Sequence, residues 1–198
     1  MDETLDYYDN NAMIFAERTR DLEFSEVEDK FLSLLPKGGF LLDFGCGSGR
    51  DTKYFIKNGF TVDATDGSEK LCRIAEINTG IKVKRMLFSE LDEDSKYDGI
   101  WACASILHLP KRELRSVFEK MLKAVKPLGY IYTSFKYSEF EGVRGDRYFT
   151  DFTSETFQSF IVDISNVKVK EEWVSEDVRP GRGDEKWLNL ILLRSDTV

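Results

Sequence analysis

The spacing of apolar and polar residues separates a helical N-terminal segment from the rest of the chain. Residues 5–18, and the segment from Ser25 to Leu35, place apolar side chains three or four positions apart, as in an amphipathic helix. The sequence Pro36-Lys37-Gly38-Gly39 ends the second segment, because proline and glycine interrupt helices. The pattern therefore predicts two N-terminal capping helices within residues 1–38.

From Phe40 onward, short apolar runs alternate with amphipathic helices. The predicted strands are 40–44, 60–65, 81–88, 97–104 and 128–135, and the predicted helices between them are 52–57, 68–77 and 110–125. A strand followed by a helix, repeated several times, is typical of a parallel sheet with helices on both faces. Residues 39–135 are predicted to form this core.

The last third of the chain, residues 136–198, breaks the alternation. Residues 136–151 are predicted to form a polar loop, followed by a helix at 154–161 and strands at 167–173 and 187–193. No helix joins the last two strands, so we expect an antiparallel hairpin at the edge of the sheet. The predicted fold class is α/β: one Rossmann-like, doubly wound domain over residues 1–198, with a mostly parallel seven-stranded sheet and an antiparallel C-terminal hairpin.

Composition and charge narrow the classes of partner. Of the 198 residues, 28 are Lys or Arg and 36 are Asp or Glu, giving a formal net charge of −8, which disfavours nucleic acid as a partner. The N-terminus has no apolar run, so neither a secretory signal nor a transmembrane helix is expected. Three cysteines without CxxC spacing and a single histidine predict no disulfide framework and no metal site. We expect a cytoplasmic protein, as a monomer or homodimer.

The strand at 40–44 runs into the glycine-rich sequence LLDFGCGSGRD, residues 41–51. Its spacing is G-x-G-x-G, whereas a dinucleotide loop needs G-x-G-x-x-G, whose last glycine would fall at Arg50. Asp43 would repel a pyrophosphate and suits a ligand with an amino group or a positive sulfur. Asp66, about twenty residues further on, matches the acidic residue that accepts ribose hydroxyls. These residues indicate S-adenosylmethionine, with a nicotinamide oxidoreductase as the alternative that Arg50 disfavours.

The glycine loop and three further stretches resemble the class I S-adenosylmethionine-dependent methyltransferases. The stretches are DGIWACASILHLP (98–110), LKAVKPLGYIYTSFKY (122–137) and EDVRPGRGDEKWLNLIL (176–192). The resemblance covers nearly the whole chain, and within the class it is similar to a small bacterial subgroup labelled tellurite-resistance-like. It implies S-adenosylmethionine as cofactor and a lid formed by the N-terminal helix.

The resemblance also assigns cofactor residues. They are Tyr8 and Arg18 on the N-terminal helix; Asp43, Gly45, Cys46, Gly47 and Ser48 at the methionine end; Asp66, Gly67 and Ser68 at the ribose; Leu87, Phe88 and Ser89 at the adenine; and Ala104 and Ser105 beside the methyl group. Relatives often carry an acidic residue near the adenine amino group. Here the segment is Leu87-Phe88-Ser89-Glu90, so we expect backbone groups and Phe88 to hold the adenine.

Methyl transfer from a sulfonium is an in-line displacement, in which positioning supplies much of the acceleration. His108, the only histidine, follows the fourth strand and is the candidate general base; the alternative is a structural histidine that bonds the adjacent turn. Cys103 has no basic partner adjacent in sequence and is expected to be buried and inert.

The substrate side is predicted to combine cations with aromatic rings, which favours a small anionic or aromatic acceptor. Its candidate residues are Tyr137, Arg144, Arg147, Tyr148, Arg179 and Trp187. The alternative for this cluster is a solvated, salt-bridged edge. The function favoured is therefore methyl transfer from S-adenosylmethionine to a small molecule, with a protein or RNA methyltransferase and a non-catalytic S-adenosylmethionine-binding module as alternatives.

Overall fold

The computed structural model of the chain describes residues 2–195. Its helices are α1 (Asp2–Thr19), α2 (Ser25–Leu32), α3 (Arg50–Lys57), α4 (Glu69–Thr79), α5 (Lys111–Ala124) and α6 (Ser154–Ile161). Its strands are β1 (Phe40–Phe44), β2 (Thr61–Asp66), β3 (Val83–Arg85), β4 (Tyr97–Ala102), β5 (Val125–Lys136), β6 (Glu141–Arg144), β7 (Arg147–Thr150), β8 (Val167–Glu176) and β9 (Lys186–Arg194). None of the helices described is long and apolar enough to cross a membrane.

Seven strands form one sheet in the order β3-β2-β1-β4-β5-β9-β8. The first five of these are parallel, and β9 runs antiparallel to both β5 and β8. The α/β fold class, the mostly parallel sheet and the C-terminal edge hairpin are thus confirmed. The chain order reverses between β1 and β4, and the crevice at such a switch point is where open α/β sheets bind ligands.

Alternate residues of the parallel strands pack on opposite faces of the sheet. Leu42 and Phe44 join the core under α5 and α6, whereas Leu41 joins the core under α2 and α3. On that second face the rings of Trp101 and Tyr132 stack with centroids 4.0 Å apart. Burial on both faces explains why the strands are continuous apolar runs in the sequence.

Residues 136–151 differ from the prediction of a loop, because they contain the β6–β7 hairpin. Its turn places Gly145 at φ 63°, a conformation that glycine adopts without a side-chain penalty. Most of β6 is exposed, so its sequence lacks the alternation that reveals a half-buried strand. The third strand is also shorter than predicted: it ends at Arg85, and Phe88–Glu90 form a 3₁₀ turn.

Helix α1 lies across the carboxyl ends of the strands and is fastened there by side-chain hydrogen bonds. Ser68 Oγ donates to Asp9 Oδ1 at 2.5 Å, and the backbone N–H of Tyr148 donates to Thr4 Oγ1 at 3.0 Å. Leu5 of the helix packs close to Gly67, where an added Cβ would lie 2.6 Å from Leu5 Cδ2. The N-terminal capping helix is therefore a wall of the crevice at the switch point.

Candidate active site

The glycine loop after β1 has a shape that few side chains permit. Gly45 and Gly47 have φ values of 89° and 56°. A Cβ at Gly45 would lie 2.5 Å from Ser105 Cβ, and one at Gly47 would lie 3.1 Å from the Phe15 ring. The backbone N–H groups of Gly45 and Cys46 both donate to Thr65 O at 2.9 Å, which ties the loop to β2. The loop thus exposes bare backbone to the crevice, which lets a ligand approach closely.

Asp66 ends β2 beside this loop. Its carboxylate accepts the backbone N–H groups of Gly47 (2.9 Å) and Ser68 (2.8 Å). Burial raises the pKa of Asp66 to about 6, against the lowering effect of these hydrogen bonds. At neutral pH the carboxylate is therefore mostly ionised, and its remaining lone pairs can accept hydrogen bonds from the two hydroxyls of a ribose.

An apolar slot lies next to Asp66. The residues that line it are Leu5, Leu71, Met86, Leu87 and Phe88. Of the residues predicted at the adenine, Leu87 and Phe88 are in this wall and Ser89 is not. Glu90 also lies outside, because its Oε2 accepts the backbone N–H of Leu87 at 2.7 Å and so caps the 3₁₀ turn.

Of the other predicted cofactor residues, most line the same cavity. They are Tyr8, Gly45, Cys46, Gly47, Ser48, Asp66, Gly67, Ala104 and Ser105. Ser68 does not line it: its hydroxyl accepts the Leu71 N–H and caps α4. Ala104, with φ 47°, is held by its N–H donating to Ser134 Oγ, and Ser105 Oγ donates to Phe44 O.

Asp43, predicted at the methionine end, and Arg18, predicted to hold the cofactor from the N-terminal helix, are placed elsewhere. Asp43 is buried beneath the loop, where its Oδ2 accepts the hydroxyl of Thr52 at 2.5 Å. Burial, with the nearby charge of Asp51, raises the pKa of Asp43 well above its usual range. Arg18 is exposed on the outer face of α1. Neither side chain lines the cavity in the structure.

Arg50 and Asp51, which were not predicted at the cofactor, line the cavity. Arg50 Nε donates to Asp51 Oδ1 at 2.5 Å, and the indole N–H of Trp101 donates to Asp51 Oδ2 at 2.7 Å. In the sequence, Arg50 argues only against a dinucleotide ligand. Its position does indicate a place beside the ligand, because the first turn of the helix after a glycine loop lies at the ligand.

His108 forms a relay of hydrogen bonds between α1 and β7. Its Nδ1 lies 2.6 Å from the carbonyl oxygen of Tyr148, and its Nε2 lies 2.8 Å from Tyr8 Oη. Because a carbonyl can only accept, Nδ1 carries the proton and Nε2 accepts the Tyr8 hydroxyl. Burial lowers the pKa of His108 to about 4. This histidine is a weak base at neutral pH that positions Tyr8, and it also lies in the cavity wall.

Titration of the single histidine tests this arrangement. The folded chain is expected to keep His108 neutral, protonated on Nδ1, down to about pH 4. Between pH 6.5 and 4 the unfolded chain binds a proton that the folded chain does not, so this group makes the free energy of unfolding fall as the pH falls. Nitrogen-15 NMR of histidine-labelled protein measures both tautomer and pKa, with no assignment needed. A midpoint near 6.5, or a proton on Nε2, would contradict the arrangement.

A second cavity, of about 550 Å³, adjoins the first. The residues that line both are Tyr8, Phe15, Thr19, Arg50, Cys103, Ala104 and His108. Its volume is typical of a small-molecule site. Burial raises the pKa of the Cys103 thiol, so this group stays protonated and is not an ionised nucleophile. We call the second cavity the acceptor cavity.

Of the predicted substrate-side residues, five line the acceptor cavity: Tyr137, Arg144, Arg147, Arg179 and Trp187. The side chain of Tyr148 points away, with its hydroxyl donating to Glu141 at 3.1 Å, although its backbone holds both His108 and Thr4. Strand β7 brings Arg147 and Phe149 to the cavity and leaves Tyr148 on its other side, as alternation requires.

The cavity residues fit S-adenosylmethionine. The glycine loop presents a backbone surface that a Cβ would fill, Asp66 offers two carboxylate oxygens, and the apolar slot suits an adenine. The mouth shared with the acceptor cavity lies beside the small residue Ala104, which permits close approach to a reacting methyl group. S-Adenosylmethionine, when bound, supplies a methyl group activated by the positive sulfur.

Comparison with known proteins finds one family model that matches the core of this chain. Residues 41–129 match the family model described as methyltransferase domain. These residues include the glycine loop, Asp66 and four of the five residues of the apolar slot, and Leu5 of the slot lies outside the match. Together with the relatives that follow, this match agrees with the predicted enzyme class, a methyltransferase, and with S-adenosylmethionine as its cofactor.

A curated relative, "Putative methyltransferase YqeM" of Bacillus subtilis (strain 168), is 24% identical over 144 residues. The alignment covers 67% of this chain and 58% of that protein, so the chain spans less than two thirds of the length of this relative.

Two solved structures share the fold. The 1,6-didemethyltoxoflavin-N1-methyltransferase of Burkholderia thailandensis, with bound 1,6-didemethyltoxoflavin and S-adenosylhomocysteine, has a TM-score of 0.77 at 18% identity, covering 97% of this chain and 85% of that one. The magnesium protoporphyrin IX methyltransferase of Synechocystis PCC 6803, with bound S-adenosylmethionine, has a TM-score of 0.72 at 16% identity, covering 96% and 94%.

Proposed function

We propose that this chain transfers the methyl group of S-adenosylmethionine to a small molecule bound in the acceptor cavity. The observation that carries the proposal is the continuity of the two cavities, which meet at Tyr8, Cys103, Ala104 and His108. An acceptor in the second cavity faces the mouth of the first, as an in-line displacement requires. The Burkholderia enzyme, whose structure holds a small molecule with S-adenosylhomocysteine, supports a small acceptor.

The side chains at the mouth position the reactants rather than ionise them. His108 is neutral and accepts the Tyr8 hydroxyl, and burial also raises the pKa of Tyr8. Neither group is a strong base at neutral pH, so the acceptor reacts through a nucleophile that loses its proton readily. The proposed roles are therefore alignment by Tyr8, His108 and Ala104, and cofactor binding by the glycine loop and Asp66.

The net charge of −8 and the small volume of the acceptor cavity favour a small molecule over a protein or RNA. The tellurite-resistance-like subgroup, the single-domain organisation, the cytoplasmic location and the monomeric or homodimeric state remain predictions from the sequence.

The proposal is tested in two steps. Calorimetry with S-adenosylmethionine, S-adenosylhomocysteine and NAD is expected to show binding of the first two only. A screen that detects S-adenosylhomocysteine release, over small carboxylic acids, phenols, thiols and amines, is then expected to find turnover. Methylation of peptides or tRNA but of no small molecule would favour the macromolecular alternative, and cofactor binding without any turnover would favour the binding module.

A further inference from the structure

Arg147 differs from the other guanidinium groups that line the acceptor cavity. Each of the others has a carboxylate partner: Arg50 pairs with Asp51, Arg144 with Asp151, Arg179 with Asp177, and Arg182 with Glu185. Glu185 also pairs with Lys136. Among the side chains that the structure describes, those of residues 3–195, Arg147 forms no such ion pair, although it is half-buried. A half-buried cation without a counterion is only partly solvated, so its charge is available to an anionic ligand.

Aromatic rings surround this guanidinium without neutralising it. Its Cζ lies 4.5 Å from the centroid of the Tyr7 ring and 5.1 Å from that of Phe149. Its Nη1 lies 3.4 Å from Tyr8 Oη, the hydroxyl at the mouth between the cavities. Rings stacked on the face of a guanidinium hold it in place and leave its N–H edge for a planar, bidentate partner.

The charge and shape of this environment select the ligand. The uncompensated guanidinium of Arg147 balances one negative charge and matches the fork of a carboxylate. Lys186 also lines the cavity without an ion pair among the described side chains, but it is exposed and lacks the bidentate fork that holds a planar anion. The rings of Tyr137, Phe149 and Trp187 also line the cavity and suit a flat, apolar body. We propose that the acceptor cavity binds small planar carboxylic acids, with the carboxylate held by Arg147. This inference rests on the proposed function, since it names the class of acceptor.

Matched acid and amide pairs test the inference before any substrate is known. The probes are benzoate with benzamide, salicylate with salicylamide, and nicotinate with nicotinamide, each titrated by ligand-observed NMR into protein saturated with S-adenosylhomocysteine. At least one acid is expected to bind about tenfold or more tightly than its amide, since a charge-assisted bidentate contact exceeds a neutral one by that amount. Phenyl phosphate is expected to bind more weakly than the preferred acid.

Substitution of Arg147 separates an anion contact from a structural one. Arg147→Met is expected to remove the preference for acid over amide and to leave the affinity for S-adenosylhomocysteine within about threefold. Arg112→Met, at a side chain that is 84% exposed and does not line the cavity, makes the same change of charge and is expected to retain the preference.

Three results would overturn the inference: equal binding of acids and amides by the unaltered protein, no binding of any acid, or a preference unchanged in Arg147→Met. Because the cofactor product is measured in the same samples, failure of the proposed function is distinguishable. If S-adenosylhomocysteine does not bind, the methyltransferase proposal fails; if it binds and the acids do not, only this inference fails.

Discussion

Replacement of Asp66 by alanine is expected to lower the affinity for S-adenosylmethionine by about 100-fold or more. Two charge-assisted hydrogen bonds to the ribose would be lost, each worth roughly 1.5–3 kcal/mol, and about 1.4 kcal/mol corresponds to tenfold in affinity. The same change leaves the N–H groups of Gly47 and Ser68 without their acceptor, which loosens the glycine loop. Calorimetry with S-adenosylmethionine and S-adenosylhomocysteine measures the loss.

Asp63→Ala is the matched control, because it removes the same charge from the same strand. The carboxylate of Asp63 accepts the Tyr97 hydroxyl at 2.9 Å and pairs with Lys96 at 3.0 Å, away from the cofactor cavity. Its affinity for S-adenosylmethionine is expected to stay within about threefold of the unaltered protein. An Asp66→Ala variant that binds equally well would place the ribose elsewhere.

The features of the site that sequence could reveal are those set by local spacing. The glycine loop and Asp66 lie at the ends of adjacent parallel strands, so identifying the strands was enough to bring them together. Asp43 is a different case, because it lies within β1 on the face that packs against α3, together with Leu41. Because side chains alternate along a strand, its side chain points to the α3 face of the sheet and not into the glycine loop.

Helix phase decides which residues of α1 contribute to the cavity. Thr4, Tyr8, Phe15 and Thr19 line it, with separations of four, seven and four residues, which is one stripe of a helix. Arg18 falls outside the stripe and is exposed. The spacing of these residues is visible in the sequence. Sequence alone does not show which face of the helix points to the site, because that depends on how the helix packs over the sheet.

The acceptor side was less accessible to prediction because its parts come together through long-range packing. The tautomer of His108 is set by the hydroxyl of Tyr8, 100 residues earlier, and by the carbonyl of Tyr148, 40 residues later. The β6–β7 hairpin and the loop before β9 also decide which arginines have carboxylate partners. Arg144 pairs with Asp151 and Arg179 with Asp177, whereas Arg147 has no ion pair within the described residues. The composition of these segments indicates cations and aromatic rings at the acceptor side. Long-range packing determines which cation has no carboxylate partner and can bind an anionic ligand.

Replacement of Gly45 by alanine is expected to abolish cofactor binding and to destabilise the fold by about 2–5 kcal/mol. Alanine at a φ of 89° costs roughly 1–2 kcal/mol, and its Cβ would meet Ser105 Cβ at 2.5 Å and the Phe88 ring at 3.2 Å, which adds an overpacking cost of about 1–3 kcal/mol. Relief of the clash would move the loop or the exit of β4, both of which line the cofactor cavity. Urea unfolding and calorimetry with S-adenosylhomocysteine measure the two effects.

Gly59→Ala separates the backbone cost from the clash. Gly59 has a φ of 85°, nearly that of Gly45, but nothing lies within 4 Å of its added Cβ. Alanine there is expected to cost only about 1–2 kcal/mol and to leave cofactor affinity unchanged. If the two variants were equally stable and both bound S-adenosylhomocysteine, the close approach of Ser105 to the loop would not constrain the site. A larger loss at Gly45 would show that the loop needs glycine because the end of β4 lies against it.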